Sequence, residues 1–215
     1  MASLPVTQAI ELELDGPWLT IWFNQPERRN PLTDEVVAEL LSLTRYLSSD
    51  RSIRGVSLRG RGGIFCAGGD LKGFMALADG TRAATLATSA QIGELLERMN
   101  ALPQVTVSLI EGAAMAGGLG LACSSDVTIG TRAAKFAFSE TRIGITPAQI
   151  APYVLQKCGY AVGRRLMLTA ARFNGGQAEA FGLLDVCVDG VDALEEQERL
   201  IKNDVLACAP GAVAA

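Results

Sequence analysis

The chain has 215 residues, 49% of them hydrophobic, which suits one domain with a sizeable buried core. The formal net charge is −4 and the 19 basic residues are scattered, so nucleic acid is not an expected partner. No histidine is present, which excludes Ser-His-Asp and Cys-His catalysis and leaves proton transfer to carboxylates, Tyr, Lys, Cys or water.

The cysteines and the apolar runs bear on the compartment. Five widely spaced cysteines without a CxxC pair favour reduced thiols in a cytoplasmic protein over disulfides or a zinc site. The longest apolar runs are too short for a membrane span, and the N-terminus lacks the pattern of a signal peptide. We therefore expect a cytoplasmic protein with neither a membrane partner nor a bound metal.

The first quarter of the chain predicts a hairpin, a loop and a helix. Apolar residues alternate over 8–14 and 18–23, and Asp15-Gly16 between them is typical of a hairpin turn. Residues 24–31, NQPERRNP, predict a loop. Thr33 then caps a predicted helix that carries two acidic residues in its first turn.

Strands and helices alternate in the rest of the chain. Strands are predicted at 53–58, 105–110, 127–129, 135–138 and 184–188. Helices are predicted at 71–77, 81–102, from the turn after 110 toward 126, and at 147–157, 161–169, 177–181 and 191–208. This order indicates an α/β protein built from stacked β-β-α units.

Two of the predicted strands lead into glycine-rich turns, RGGIFCAGGDLKGF at 61–74 and EGAAMAGGLG at 111–120. A helix start without side chains lets backbone N–H groups approach a substrate and favour developing negative charge. One such turn is equally explained by close packing, but two turns predict a pair of donors for one oxygen, an oxyanion hole. Neither turn matches a dinucleotide or phosphate-binding motif, since the nearest G-x-G-x-x-G ends at Cys123.

Five sequence blocks resemble the crotonase (enoyl-CoA hydratase/isomerase) superfamily. They are NQPERRNPLTDEVVAEL, FCAGGDLKGF, EGAAMAGGLGLACSSD, KFAFSETRIGITPAQ and LTAARFNGGQAEAFGLLDVCV. The resemblance implies a crotonase-like spiral of repeated β-β-α units with C-terminal helices, shortened here. It divides the chain into a core domain, 1–190, and the start of a C-terminal helical region, 191–215. It also implies a homotrimer or a dimer of trimers.

The resemblance assigns catalytic residues as well. It implies that the backbone N–H groups of Ala67 and Gly117 form the oxyanion hole and that Glu140 is a catalytic carboxylate. Many relatives carry a second glutamate three residues after the oxyanion glycine, but this chain has Gly120 there. Our hypothesis is that Gly120 leaves room for a branched or carboxylated acyl chain or for water. Arg142 either faces such a carboxylate or is a solvated charge.

The remaining assignments concern coenzyme A, which enters as part of the substrate and not as a separate cofactor. Arg28 and Arg29 are suited to its phosphates or form an ordinary basic loop. The further candidates for substrate or coenzyme A contact are Phe65, Ala67, Gly69, Asp70, Leu71, Gly118 and Gly120. Phe74, Met75 and Met115 are candidates for the acyl pocket, or are simply core. Cys66 lies in a glycine loop but has no histidine to activate it.

These features predict an acyl-CoA hydratase that adds water to a 2-enoyl-CoA with Glu140 alone. One carboxylate is also enough for an enoyl-CoA isomerase or a decarboxylase, and a non-catalytic coenzyme A-binding relative is the alternative from another class. The blocks GGLGL, FSETRIGI and PAQIAPYV resemble the branch that hydrates methylglutaconyl-CoA and isohexenylglutaconyl-CoA in leucine and acyclic-terpene breakdown.

Overall fold

The computed structural model describes residues 4–70 and 81–214. Its strands are β1 (Ile10–Asp15), β2 (Trp18–Phe23), β3 (Gly55–Gly60), β4 (Val105–Ile110), β5 (Ala113–Met115), β6 (Val127–Thr131), β7 (Lys135–Ala137), β8 (Phe173–Asn174) and β9 (Val186–Val188). Its helices are α1 (Asp34–Ser49), α2 (Arg82–Asn100), α3 (Ala116–Cys123), α4 (Ala151–Thr169), α5 (Gly175–Ala180), α6 (Val191–Ala207) and α7 (Pro210–Val213). The helix predicted at 71–77, Leu71, Phe74 and Met75 lie outside the described residues.

Six strands of the described part of the chain form the larger sheet, in the order β1-β2-β3-β4-β6-β9. Only β1 and β2 are antiparallel, which confirms the predicted hairpin; each later neighbour is parallel. Parallel neighbours need crossover connections, which the helices between them provide. The predicted α/β architecture is therefore confirmed.

A second sheet of three short strands, β5-β7-β8, stands beside the larger one. β5 and β7 are parallel, with Met115 opposite Ala137 in register. The sequence analysis did not predict β5, because three small or flexible residues, AAM, carry no strand signal of their own. This small sheet matters because α3 begins directly after β5 ends.

The helix ends follow local chemistry. The Thr33 hydroxyl accepts the N–H of Val36 at 3.2 Å, so the predicted cap of α1 is confirmed. Two helices were predicted between 147 and 169, and α4 consists of two helical stretches that meet at a kink at Gly159, where φ is 73°. Glycine adopts this left-handed conformation without a steric penalty, so the chain bends there and continues.

The larger sheet is covered on both faces. One face packs, with α1 and other helices, into the main hydrophobic core, whereas the other holds a smaller cluster that includes Trp18, Leu109 and Leu194. Leu194 belongs to α6, so this helix lies on the sheet of the core. Among the described residues, the helices are too short or too polar to cross a membrane.

Candidate active site

Three loops run side by side where β2, β3 and β5 end. The N–H groups of Phe65 and Cys66 donate to the carbonyls of Glu111 and Ala113, each at 3.1 Å. The N–H of Met115 donates in turn to the Cys66 carbonyl at 3.0 Å. The two predicted glycine-rich turns are therefore joined like neighbouring strands, which holds them at a fixed separation.

Two glycines allow this close approach. A Cβ added to Gly68, whose φ is 97°, would lie 2.9 Å from the Met115 carbonyl oxygen. A Cβ on Gly118 would lie 2.5 Å from the Cys66 sulfur. Gly118 is thus buried against Cys66, and the structure explains it by packing, not by the predicted contact with substrate.

Cys66 is fully buried, and this burial raises the pKa of its thiol to about 12. A thiol with that pKa stays protonated near neutral pH, and the thiolate is the nucleophilic form. Cys66 is therefore a core residue and has no place in the chemistry.

The amide of Ala67 has a partner already. Its N–H donates to the carbonyl of Arg29 at 3.0 Å, and the next carbonyl, that of Gly68, accepts the N–H of Leu32 at 2.8 Å. The structure thus contradicts the assignment of Ala67 as an oxyanion donor, because its N–H turns toward the loop of residues 25–32. Two residues later, the N–H of half-buried Gly69 forms no hydrogen bond with any described residue.

The start of α3 supplies the other donors. Met115 caps the helix without a side-chain hydrogen bond, and Ala116 has the left-handed φ of 46°. N–H groups in a first turn have no partner inside their helix, which leaves the amide of half-buried Gly117 available. Leu32 links the two loops: it bridges to Gly69, and its Cδ1 lies 3.5 Å from the Cβ position of Gly117.

Glu140 lies at the same edge of the small sheet. β5 and β7 are parallel, so their carboxyl ends meet; α3 starts one residue after β5, and Glu140 follows β7 by three residues. Its Oε2 atom is buried and has no hydrogen-bond partner among the described residues. Burial raises the pKa of this carboxyl above its ordinary value, with a small opposing effect of its own backbone N–H. An unpartnered buried carboxylate with a raised pKa is a typical candidate for acid–base chemistry.

The space beside Gly120 is filled. A Cβ on Gly120 would lie 2.1 Å from Cγ2 of Ile150 and 2.5 Å from its Cβ. Ile150 is itself only 3% exposed. The hypothesis that Gly120 leaves room for an acyl chain or a water molecule is therefore wrong, because a branched alkyl group already occupies that volume.

The structure contradicts the prediction for Phe65, and for Arg142 it favours the second of the two alternatives, a solvated charge. Phe65 is fully buried and packs edge-to-face on Phe23, with 5.4 Å between ring centroids, so it is a core residue. Arg142 is exposed, and its guanidinium donates to the carbonyl of Ala170 at 3.0 Å. Its charge is thus placed at the C-terminal end of α4, where a cation is favourable, and not toward an acyl carboxylate.

The proposed coenzyme A contacts differ in availability. Arg28 pairs with Asp70 at 3.0 Å, which ties the loop of residues 25–32 to the first glycine-rich turn. The side chain of Arg29 is exposed and forms no ion pair with a described residue. Met115 is half-buried at the end of β5, next to the start of α3. Leu71 cannot be placed, since it lies outside the described residues.

Asn30 is a site residue that the sequence analysis missed. It is 1% exposed and has a φ of 53°. Its side-chain oxygen accepts the N–H of Gln25 at 2.9 Å, and its amide donates to the carbonyls of Arg61 and Ile64 at 2.9 and 2.6 Å. An asparagine before a proline in a loop was the available signal, since Asn tolerates the left-handed conformation.

No group of three or more potential ligand side chains is placed to hold a metal within 4–70 and 81–214. A family model described as enoyl-CoA hydratase/isomerase matches residues 18–215. The solved structure of Pseudomonas aeruginosa AtuE superposes with a TM-score of 0.94 and 42% sequence identity, covering 96% of this chain and 80% of that one.

Two other similar proteins carry names from the same family. An enoyl-CoA hydratase/isomerase structure from Marinobacter aquaeolei has a TM-score of 0.91 and 36% identity, with 96% of this chain and 80% of that one covered. Enoyl-CoA hydratase ACTT6 of Alternaria alternata is 30% identical over 194 residues, 90% of this chain and 63% of its own length. The chain thus spans less than two thirds of that relative.

Proposed function

The chain belongs to the enoyl-CoA hydratase/isomerase family, and from this premise we propose that it adds water across the double bond of a 2-enoyl-CoA. The observation that carries the proposal is the buried carboxylate oxygen of Glu140, which has no partner among the described residues and lies at the same edge of the small sheet as the start of α3. Hydration of a conjugated thioester needs a base for water and donors for the enolate oxygen, and both are available at this edge.

The donors in this proposal are the N–H groups of Gly117 and Gly69. The thioester carbonyl oxygen accepts from both, and the negative charge that develops on it is stabilised as the enolate forms. The left-handed Ala116 and the bridge between Leu32 and Gly69 support this role, because they fix the two peptide groups before substrate arrives. Losing one such donor typically costs about 3–4 kcal/mol of transition-state stabilisation.

Glu140 performs both proton transfers in this mechanism. Its carboxylate takes a proton from water while the water oxygen bonds to Cβ, and the electron pair of the double bond moves through Cα to the thioester oxygen. The protonated carboxyl then returns that proton to Cα, which restores the thioester carbonyl. Burial supports the second step, since the raised pKa makes the carboxyl a more effective proton carrier near neutral pH.

The finer assignments are part of the proposal. The resemblance to the methylglutaconyl-CoA branch supports a branched or glutaconyl-type acyl chain. It also supports a homotrimer or a dimer of trimers. Exposed Arg29 is suited to a coenzyme A phosphate. Five free cysteines support the cytoplasm as the compartment. We propose no cofactor beyond the coenzyme A of the substrate.

The test is loss of the conjugated enoyl-thioester absorbance with 3-methylglutaconyl-CoA and crotonyl-CoA. We expect wild type to hydrate at least one of them, and Glu140→Gln to lower kcat by about 10²- to 10⁴-fold because the amide cannot accept the proton. Binding of the saturated analogue butyryl-CoA should be retained. Glu35→Gln is the matched control, since Glu35 is an exposed residue of the first turn of α1.

Unchanged turnover in Glu140→Gln would contradict the role of Glu140. Acyl-CoA binding without turnover of any enoyl thioester by wild type would favour a binding relative instead.

Isomerisation of a 3-enoyl-CoA is the second candidate. The filled space at Gly120 favours it, because moving a double bond needs one carboxylate to carry a proton between Cα and Cγ and needs no water. The two reactions are separated by mass spectrometry in ¹⁸O-labelled water. A hydratase incorporates the label into its product, whereas an isomerase changes the position of the double bond without it.

A further inference from the structure

The contact between Gly120 and Ile150 lies on the face of α3 that bears the proposed oxyanion donor. Gly117 and Gly120 are three residues apart in one helix, so they share a face about one turn apart. The turn at Gly120 is therefore the next part of this face beyond a group held at Gly117. The group that covers that turn is the side chain of Ile150.

Ile150 is held firmly in this position. It is 3% exposed, and its carbonyl accepts the N–H of Val154 at 3.1 Å as α4 begins. The neighbouring Gln149 donates to the hydroxyl of Ser89 on α2 at 3.0 Å. The β-branch of isoleucine also restricts its χ1 angle, which favours a single position of the side chain beside Gly120.

The same segment carries the proposed base. Glu140 and Ile150 are ten residues apart along the chain, and the N–H of Ile145 closes back on the Glu140 carbonyl at 3.0 Å. α3 packs against α4 as well as against β7. This one segment thus carries the carboxylate of Glu140 at one end and the alkyl group that covers Gly120 at the other.

We propose that Ile150 is a specificity-determining residue of this site, and this inference rests on the proposed function. Its side chain forms an apolar wall beside the acyl carbons next to the thioester and occupies the volume that a second carboxylate on α3 would need. The substrates that fit are 2-enoyl-CoA thioesters whose acyl chain is compact where it passes Ile150, next to the thioester.

Truncation of Ile150 tests the wall. Ile150→Ala removes three carbon atoms and leaves an apolar space beside Gly120, which makes room for a larger hydrocarbon substituent on the acyl chain. We expect the affinity for 3-phenylpropanoyl-CoA relative to butyryl-CoA to rise about tenfold, the range that a few methylene groups in a pocket provide. Turnover of cinnamoyl-CoA relative to crotonyl-CoA should rise in parallel. Calorimetry measures the first ratio and absorbance the second.

Ile129→Ala is the matched control. Ile129 is as buried as Ile150, but it lies in the separate cluster on the other face of the large sheet. The Ile129→Ala variant should have a lower melting temperature but the same binding ratio and the same turnover ratio as wild type. Ile150→Val makes a smaller cavity and covers the case in which Ile150→Ala does not fold; it should shift both ratios in the same direction.

The outcomes separate the two proposals. If wild type binds no acyl-CoA, the proposed function fails, and the specificity role fails with it. If wild type binds both saturated thioesters and neither Ile150 variant shifts the ratio, Ile150 is only a core residue and this inference alone is overturned. If both ratios shift in the two Ile150 variants and do not shift in Ile129→Ala, the role of Ile150 in specificity is supported.

Discussion

At the scale of single residues, Glu140 combines features that oppose stability and serve chemistry. One of its carboxylate oxygens is buried without a partner among the described residues. Leaving a charged group in that state is unfavourable, and a residue kept in it is a candidate for function. The same burial that raises the pKa of Glu140 therefore predicts a measurable cost to the fold.

The free energy of unfolding should reveal this cost as a pH dependence. The raised folded-state pKa means that the folded chain binds more protons than the unfolded chain between the ordinary and the raised value. Stability from this group is therefore full below the ordinary pKa and falls as pH rises through that window. Glu140→Gln should remove the dependence and be about 0.5–2 kcal/mol more stable at neutral pH.

Urea denaturation of both proteins across pH measures the difference. Identical pH slopes would refute the explanation. If the chain catalyses the proposed hydration, its turnover should also fall as pH is lowered through the raised pKa of Glu140, because the carboxylate is then protonated.

At the scale of elements, the site depends on how the loop of residues 25–32 docks on the first glycine-rich turn. Asn30 fastens it from inside with three side-chain hydrogen bonds, and the ion pair between Arg28 and Asp70 fastens it at the surface. The Arg28 side chain is 44% exposed, and an ion pair at such a site contributes little. The buried Asn30 should therefore contribute more to the stability of the docked loop than the ion pair does.

Asn30→Gly tests this ranking. Glycine keeps the left-handed backbone but leaves the Gln25 amide and the Arg61 and Ile64 carbonyls unpaired, so unfolding free energy should fall by about 1–3 kcal/mol. The ratio kcat/KM should fall too, because the loop positions Gly69. Arg28→Ala and the exposed Asn24→Ala are the comparisons; each should stay within about 1 kcal/mol of wild type. Equal losses in Asn30→Gly and Arg28→Ala would reverse the ranking.

At the scale of the whole molecule, α6 ties the far end of the chain to the large sheet through polar contacts. Glu195 accepts from Arg59 at 2.9 Å, Glu198 accepts from the hydroxyl of Ser57 at 2.6 Å, and Lys202 pairs with Asp15. Arg59 also binds Glu111 at 2.7 Å, where the second glycine-rich turn begins. One guanidinium therefore joins α6 to the strand end that leads to α3.

Outside the candidate site, Arg59→Ala should be among the substitutions that lower the free energy of unfolding most. The side chains of Arg59 and Glu111 are 10% and 14% exposed, and breaking such a pair leaves a largely buried charge at a cost of about 3–5 kcal/mol. Arg199→Ala breaks an exposed pair with Glu196 and should cost less than about 1 kcal/mol. Thermal and urea unfolding compare the two, and equal losses would contradict the special position of Arg59.

The sequence by itself determined most of the local structure and supplied Glu140 as a candidate for the chemistry. The hairpin, the cap at Thr33 and most strands and helices follow from periodicity and turn residues, because these signals act over a few neighbouring residues. The candidate Glu140 is implied by the resemblance of its sequence block to the crotonase superfamily. It also predicted that two glycine-rich turns act together. It could not show how they meet.

Only the tertiary structure decided which groups face the site. Whether Ala67 or Gly69 has a free amide depends on the docked loop of residues 25–32, and the space at Gly120 depends on Ile150, thirty residues later. The sequence is the same whether Glu140 lies on an exposed loop or is buried, but the pKa of its carboxyl is raised only where the fold buries it. These are properties of contacts between distant segments, which hydrophobic periodicity and local motifs do not encode.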